Sequence, residues 1–237
     1  MAAIFYPMFT LALWALFRRT RKLLHEPISP PARAKLLLAV IMALVYDNLV
    51  ISSGRLLGEG PLLEALSLPR FLFRALFLPM VLVVGVEYAR RADLAWARQK
   101  ITLAGAWAAA LALAGWEGTS VYGQTLLARE FSGTLRYVST AGEGPGLAAW
   151  APALVTLVVG VFLWKPARWP WLFAGAVGML AGNAVPGRVA GPLLGAAAEV
   201  LWVWALVATE RRVEEMGLEI SGTEVEARLE RLTPPGK

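Results

Sequence analysis

The chain has 237 residues, 57% of them hydrophobic, with ten tryptophans and a formal net charge of +6 at pH 7. That apolar share exceeds the roughly 45–50% of an ordinary soluble domain. With no cysteine and one histidine, His25, disulfides, thiol redox chemistry, Cys/His zinc sites and multi-histidine metal centres are excluded.

Taken in order, apolar segments fall at about 2–17, 35–54, 70–90, 100–117, 146–164, 169–186 and 190–209. Runs of this length bounded by Arg, Lys and Trp predict an all-α, polytopic helical membrane bundle. Seven spans is the best count. Six or eight stay open, because the first run is short and the 119–140 region is ambiguous. In the first run, "MAAIFYPMFTLALWALFRRTRK", the positive charges follow the apolar stretch and no small-residue cleavage site is evident. It therefore reads as a retained span rather than a signal peptide.

The basic residues predict the orientation. With the N-terminus outside, the cytoplasmic side holds Arg18, Arg19, Arg21, Lys22, Arg33, Lys35, Arg90, Arg91, Arg98, Lys100, Lys165, Arg168, Arg211 and Arg212. The other side holds Arg55, Arg70, Arg74, Arg129, Arg136 and Arg188. This asymmetry predicts N-out, C-in. Basic residues spread over helix ends read as topology determinants, and no nucleic-acid partner is expected.

Residues 18–35 form a basic, Pro-rich first loop suited to anionic headgroups. "LLGEGPLLEALSLPRF", residues 56–71, reads as an external re-entrant or capping segment with one or two helical turns. Pro79 is the proline expected to kink a span. Residues 118–145 form a long external loop that reads as an interfacial helix or lid, or as a solvated loop. Gly175, Gly178 and Gly182 recur about once per turn, and Gly191 with Gly195 makes G-x-x-x-G. Such rows allow close helix packing, within one chain or in an oligomer. Residues 1–212 thus form the membrane domain. Residues 213–237 form a charged cytoplasmic tail, with a short amphipathic helix over 223–232.

Polar residues inside spans carry the functional signal, because a charge near the bilayer centre costs about 2.5–3.5 kcal/mol on insertion scales. In "VYDNLVISSGR" Asp47 lies about two-thirds across span two, with Asn48, Ser52 and Arg55 on one stripe that Asp47 borders. Arg70 and Arg74 are one turn apart in span three. Glu117 closes span four, Asn183 ends span six, and Glu199 lies near the middle of span seven. Under the assigned topology all are in the middle or outer half. Asp47, Asn48, Arg55, Arg74, Glu117, Asn183 and Glu199 are therefore the candidate ligand-binding or proton-coupling residues of an outward-opening polar pocket. The alternative is a buried ion-pair network that only joins helices. The arginines, Arg70 first, are also candidates to snorkel to the interface.

The phrase Y-D-N-L-V-I-x-x-G-R-x-x-G-E-G, then P-R-F and a proline in the next span, resembles an uncharacterised family of bacterial multi-span membrane proteins. The resemblance covers about residues 46–79, with weaker echoes in "LRYV" (135–138) and "TERR" (209–212). It implies a bacterial inner-membrane bundle and brings no function with it. A histidine in that family often stands where this chain has Arg74, which puts histidine chemistry in doubt here.

Two active functions fit these residues. One is binding or transport of a lipid or small anionic, amphipathic ligand. The other is a lipid-modifying enzyme with Asp47 and Glu199 as acid and base. Without cysteine, a histidine inside the spans or a metal-ligand cluster the first is favoured, and no cofactor is expected. A retinal photoreceptor is set aside, since span seven has no lysine and Glu199 occupies its centre.

Overall fold

The computed structural model describes residues 2–24, 32–122, 124–139, 146–185 and 187–232, without the side chains of 2–3, 165–167, 187–191 and 217–232. His25, the Pro-rich part of the first loop and residues 140–145 lie outside this set. So do the side chains of Gly191 and of the proposed amphipathic segment 223–232.

The chain is mostly helical: α1 (Ala2–Leu23), α2 (Ala32–Leu57), α3 (Pro61–Phe77), α4 (Val81–Arg91), α5 (Lys100–Val121), α6 (Leu147–Ala167), α7 (Trp171–Ala184) and α8 (Gly187–Leu232). α3 and α4 are one rod interrupted by a 3₁₀ turn, Leu78–Met80. Pro79 sits in that turn, as its missing N–H and fixed φ require. Counted this way there are seven helical rods among the described residues.

Among the described residues four helices are long and apolar enough to cross a membrane: Ala32–Leu57, Pro61–Arg91, Leu147–Trp164 and Pro192–Met216. α2, with 26 residues, reaches about 39 Å at 1.5 Å per residue, more than the roughly 30 Å hydrocarbon core. The apolar helix Trp171–Ala184 is shorter, so the number of passes rests on α1, α5 and α7. The segment expected to cap span three is instead the first part of α3, which begins at Pro61, a favoured first helical residue. α8 runs without a break from Gly187 to Leu232, so no change of secondary structure separates membrane domain from tail.

One element departs from an all-α bundle. Among the described residues of 118–145 there is neither an interfacial helix nor a bare loop; β1 (Leu126–Phe131) and β2 (Thr134–Ser139) pair antiparallel. The connection is Ser132–Gly133, with φ of 47° and 84°. Two left-handed residues are what a type I′ turn needs, and this turn matches the twist of paired strands. The hairpin is seated on α2, where a Cβ on Gly54 would run into the carbonyl of Leu135.

The glycine rows pack helices only in part. A Cβ on Gly175 or Gly182 would lie 2.5 Å from Ala205 or Ala198 of α8, respectively, so both let α7 approach α8 closely. Gly178 faces open space. Gly195 does too, contrary to its expected packing role. The core between the ends of the bundle is dry: Val40, Ile41 and Leu44 of α2, Val84 of α4, and Trp202 and Leu206 of α8 are fully buried in one cluster.

Candidate functional site

At the hairpin end of the bundle a cavity of about 720 Å³ opens among α1, α2, α3, α5, α6, α7, α8 and the hairpin. Asp47, Arg74, Glu117, Asn183 and Glu199 line it. Asn48 and Arg55 do not. The Asn48 Nδ2 donates to the Leu44 carbonyl of its own helix at 2.9 Å, while Arg55 is exposed beside the hairpin turn. Only Asp47 of the adjacent Asp47–Asn48 pair therefore faces the cavity.

The floor of the cavity is a four-membered ion network. Arg74 donates to both oxygens of Glu199, Nη2 at 2.7 Å and Nη1 at 3.1 Å, and its Nη1 also reaches Asp47 Oδ2 at 3.0 Å. Arg70 Nε lies 2.9 Å from Asp47 Oδ1, and Arg70 Nη2 donates to the Tyr137 carbonyl of β2 at 3.0 Å. The chain of contacts thus joins β2, α3, α2 and α8. Two carboxylates and two guanidiniums balance, which is how charges survive where water is excluded. Arg70 is only 4% exposed, so it does not snorkel to an interface. Its position one turn before Arg74 places both heads on the same helix face. That i, i+4 spacing was the signal for a shared network.

Other candidates have local work. Glu117, at the end of α5, accepts the backbone N–H of Ala148 in the first turn of α6 at 3.1 Å. A carboxylate there satisfies a free N–H and complements the helix dipole. Ser52 Oγ donates to the Asn48 carbonyl at 2.6 Å and Ser53 Oγ to the Val50 carbonyl at 3.0 Å. Both hydroxyls are spent on their own helix, and neither is set up as a nucleophile.

Sequence reasoning missed Tyr6 and the hairpin arginines. Tyr6, 1% exposed on α1, lines the cavity, and its hydroxyl has no hydrogen-bond partner among the described residues. Arg70 Nη1, Arg136 Nε, Asn183 Nδ2 and Gln124 Oε1 belong to lining residues and are buried with no hydrogen-bond partner among the described residues. Arg129 and Arg136 stand directly opposite each other in the strand register. Burial pushes the Arg136 guanidinium below its ordinary value; Tyr6 and Asp47 oppose the shift and Arg129 adds to it. No run of charge or periodicity marks these residues, because they converge only once the hairpin folds over α2.

A second network closes the opposite end. Arg33 of α2 pairs with Glu210 at 2.9 Å and also with Glu214, both on α8, and Arg91 reaches Glu214 at 3.5 Å. Glu210, 1% exposed, also escaped the sequence reading. It lies eleven residues after Glu199, three turns along the same face of α8. The two networks are therefore separated by about 16 Å along α8, and the dry layer described above fills the gap.

Among the described residues no group of three or more His, Cys, Asp and Glu side chains is arranged to hold a metal ion. No protein-family model matches the chain, and no curated protein matches it in sequence.

Proposed function

We propose that this chain is an integral membrane protein that holds a lipid or another small anionic amphiphile in the cavity at the hairpin end. One observation carries the reading: the cavity wall is two-sided. Asp47, Arg70, Arg74, Glu199 and Arg136 supply charge, and Ile51, Phe71, Leu78, Val121 and Ala149 supply apolar surface. A wholly apolar ligand leaves the polar groups unmatched, and a small hydrophilic solute leaves the apolar wall wet. An amphiphile satisfies both. The volume of about 720 Å³ falls within the roughly 300–1,000 Å³ of small-molecule sites.

The distribution of Arg and Lys supports placing the cavity in the outer half of a bacterial inner membrane, N-terminus outside. The dry layer between the two ion networks favours binding over a continuous pore. The enzyme reading gains no support from the site. Asp47 and Glu199 are both committed to guanidiniums, and the nearby serines donate to backbone.

The test uses Gly195, which lines the cavity and faces open space. Gly195→Phe places bulk in the cavity from a position where an added Cβ meets nothing within 4 Å. The purified protein in a non-ionic detergent is titrated with short-chain phospholipids and followed by native mass spectrometry. Saturable binding by the wild type, lost in Gly195→Phe at unchanged thermal stability, is expected. Equal binding by both proteins contradicts the reading.

A further inference from the structure

We infer that the cavity is built for the head of a zwitterionic phospholipid, and that the end of α5, through Glu117 and Gln124, takes its primary ammonium. This deepens the ligand-binding reading above and rests on it.

The charges that line the cavity cancel. Among the described residues four carboxylates, Asp47, Glu117, Glu130 and Glu199, stand against four arginines. Arg70 and Arg74 hold Asp47 and Glu199 in the floor network, and Asp47 is a favourable charge neighbour of Arg136. The lining as a whole thus carries no net charge for a charged ligand to neutralise, and an uncompensated charge away from bulk water is costly. What the lining lacks is hydrogen-bond partners, and it lacks both acceptors and donors.

Unmatched donors come from α1 and α3. The Tyr6 hydroxyl and Arg70 Nη1 belong to side chains only 1% and 4% exposed, and neither atom has a hydrogen-bond partner among the described residues. Tyr6 and Arg70 are electrostatic neighbours, so one oxygen-rich acceptor serves both.

Unmatched acceptors lie at the end of α5. Gln124 donates its Nε2 to the Ser120 carbonyl, which leaves Oε1 buried and without a partner among the described residues. Ser120 follows Glu117 by three residues, so the two share a face of α5 about one turn apart. Glu117, Ser120 and Gln124 all line the cavity. Glu117 Oε1 accepts the Ala148 N–H, and among the described residues no cation pairs with this carboxylate. Its two oxygens offer about four acceptor positions, so capacity remains.

A head with one anionic and one cationic end meets both sets of atoms and adds no net charge. A phosphate ester supplies oxygens to Tyr6 and Arg70. A primary ammonium supplies three N–H donors to Glu117 and Gln124. A quaternary ammonium has no N–H and is held by aromatic faces instead. The aromatic rings nearest in sequence to these acceptors, Trp116 and Tyr122, are exposed and lie outside the lining.

The experiment measures binding of dioctanoyl phosphatidylethanolamine, dioctanoyl phosphatidylcholine, dioctanoyl phosphatidylglycerol, dioctanoylglycerol and glycerophosphoethanolamine to the full chain in non-ionic detergent. The wild type is compared with Glu117→Gln, Gln124→Leu and Gly195→Phe, each checked for its unfolding temperature. Phosphatidylethanolamine should bind at least about tenfold tighter than the other lipids, as expected for hydrogen bonds between charged groups. Glu117→Gln keeps an acceptor for the Ala148 N–H but removes the charge. It should lose roughly tenfold in phosphatidylethanolamine affinity, leave phosphatidylcholine unchanged and gain affinity for phosphatidylglycerol, because the lining is then net positive. A purely structural role would move all three lipids together. Wild-type binding of phosphatidylcholine, phosphatidylglycerol or dioctanoylglycerol as tight as that of phosphatidylethanolamine overturns the inference. So does an unchanged preference for ethanolamine over choline in a folded Glu117→Gln. If that variant does not fold, Gln124→Leu decides: a several-fold loss confined to phosphatidylethanolamine supports the inference, and an unchanged affinity overturns it. If glycerophosphoethanolamine binds as tightly as the lipid, the lipid source is overturned although the head chemistry stands. If the lipids are not told apart but Gly195→Phe blocks them all, the cavity reading survives the loss of this inference. If no lipid binds at all, the cavity reading itself fails.

Discussion

Arg74→Met is the perturbation with the most to say about the ion network. It removes three hydrogen bonds, of 2.7, 3.0 and 3.1 Å. Asp47 keeps Arg70, but both hydrogen bonds from Arg74 to the 4%-exposed Glu199 are lost. Stranding a buried charge costs about 3–5 kcal/mol. The side chain of Arg74 is itself 30% exposed toward the cavity, so the cost should sit near the lower end, about 3 kcal/mol. Adding Glu199→Leu removes the stranded charge and leaves a neutral Asp47–Arg70 pair. The double variant should then be no less stable than Arg74→Met alone, with a coupling of roughly 2 kcal/mol between the two sites. Reversible unfolding in mixed SDS micelles measures all three variants. If the double variant loses the sum of the two singles within about 0.5 kcal/mol, the sites are independent and the network is not an energetic unit.

Three further outcomes follow from the packing and the topology. Gly54→Ala places a methyl group against the Leu135 carbonyl. It should cost about 1–3 kcal/mol and raise hydrogen exchange across Leu126–Ser139; unchanged exchange there refutes the seating of the hairpin. Gly182→Leu should open the α7–α8 contact and destabilise by at least about 1–3 kcal/mol, while Gly178→Leu should stay within about 0.5 kcal/mol because it meets no neighbour. Equal losses at the two sites contradict the α7–α8 packing. The chain has no cysteine, so single cysteines at Glu59 and Asp93 report sidedness with an impermeant thiol reagent on intact cells. Labelling at Glu59 and protection at Asp93 are expected for N-out; the reverse pattern refutes the orientation.

Asp47, Arg74 and Glu199 were legible in the sequence because isolated charges inside apolar runs must find one another or water. Asn48 and Arg55 were misread for want of helix rotation, which a linear stripe cannot supply. One residue of "DN" points into the cavity and the next satisfies its own backbone. Arg70 was misread as a snorkelling side chain, although its spacing from Arg74 put both on one face. The hairpin was the larger loss. "LLAREFSGTLRYVS" holds a Ser-Gly pair at its centre and β-branched and aromatic residues on either side. That pattern is a hairpin signal, but within a membrane protein its leucines and arginines read as interfacial. Tyr6 and Arg136 become visible only through tertiary folding, since neither breaks a pattern in its own segment.

The central claim is that the hairpin-end cavity holds an amphiphile with its charged head at the polar wall and its tail on the apolar wall. A structure determined in lipid nanodiscs at side-chain resolution tests it most directly. The account predicts elongated density in the cavity, with its head at Arg70, Arg74 or Arg136 and its tail along Phe71 and Leu78. A cavity closed by the hairpin, or Asp47 and Glu199 facing lipid on opposite sides of the bundle, would contradict it.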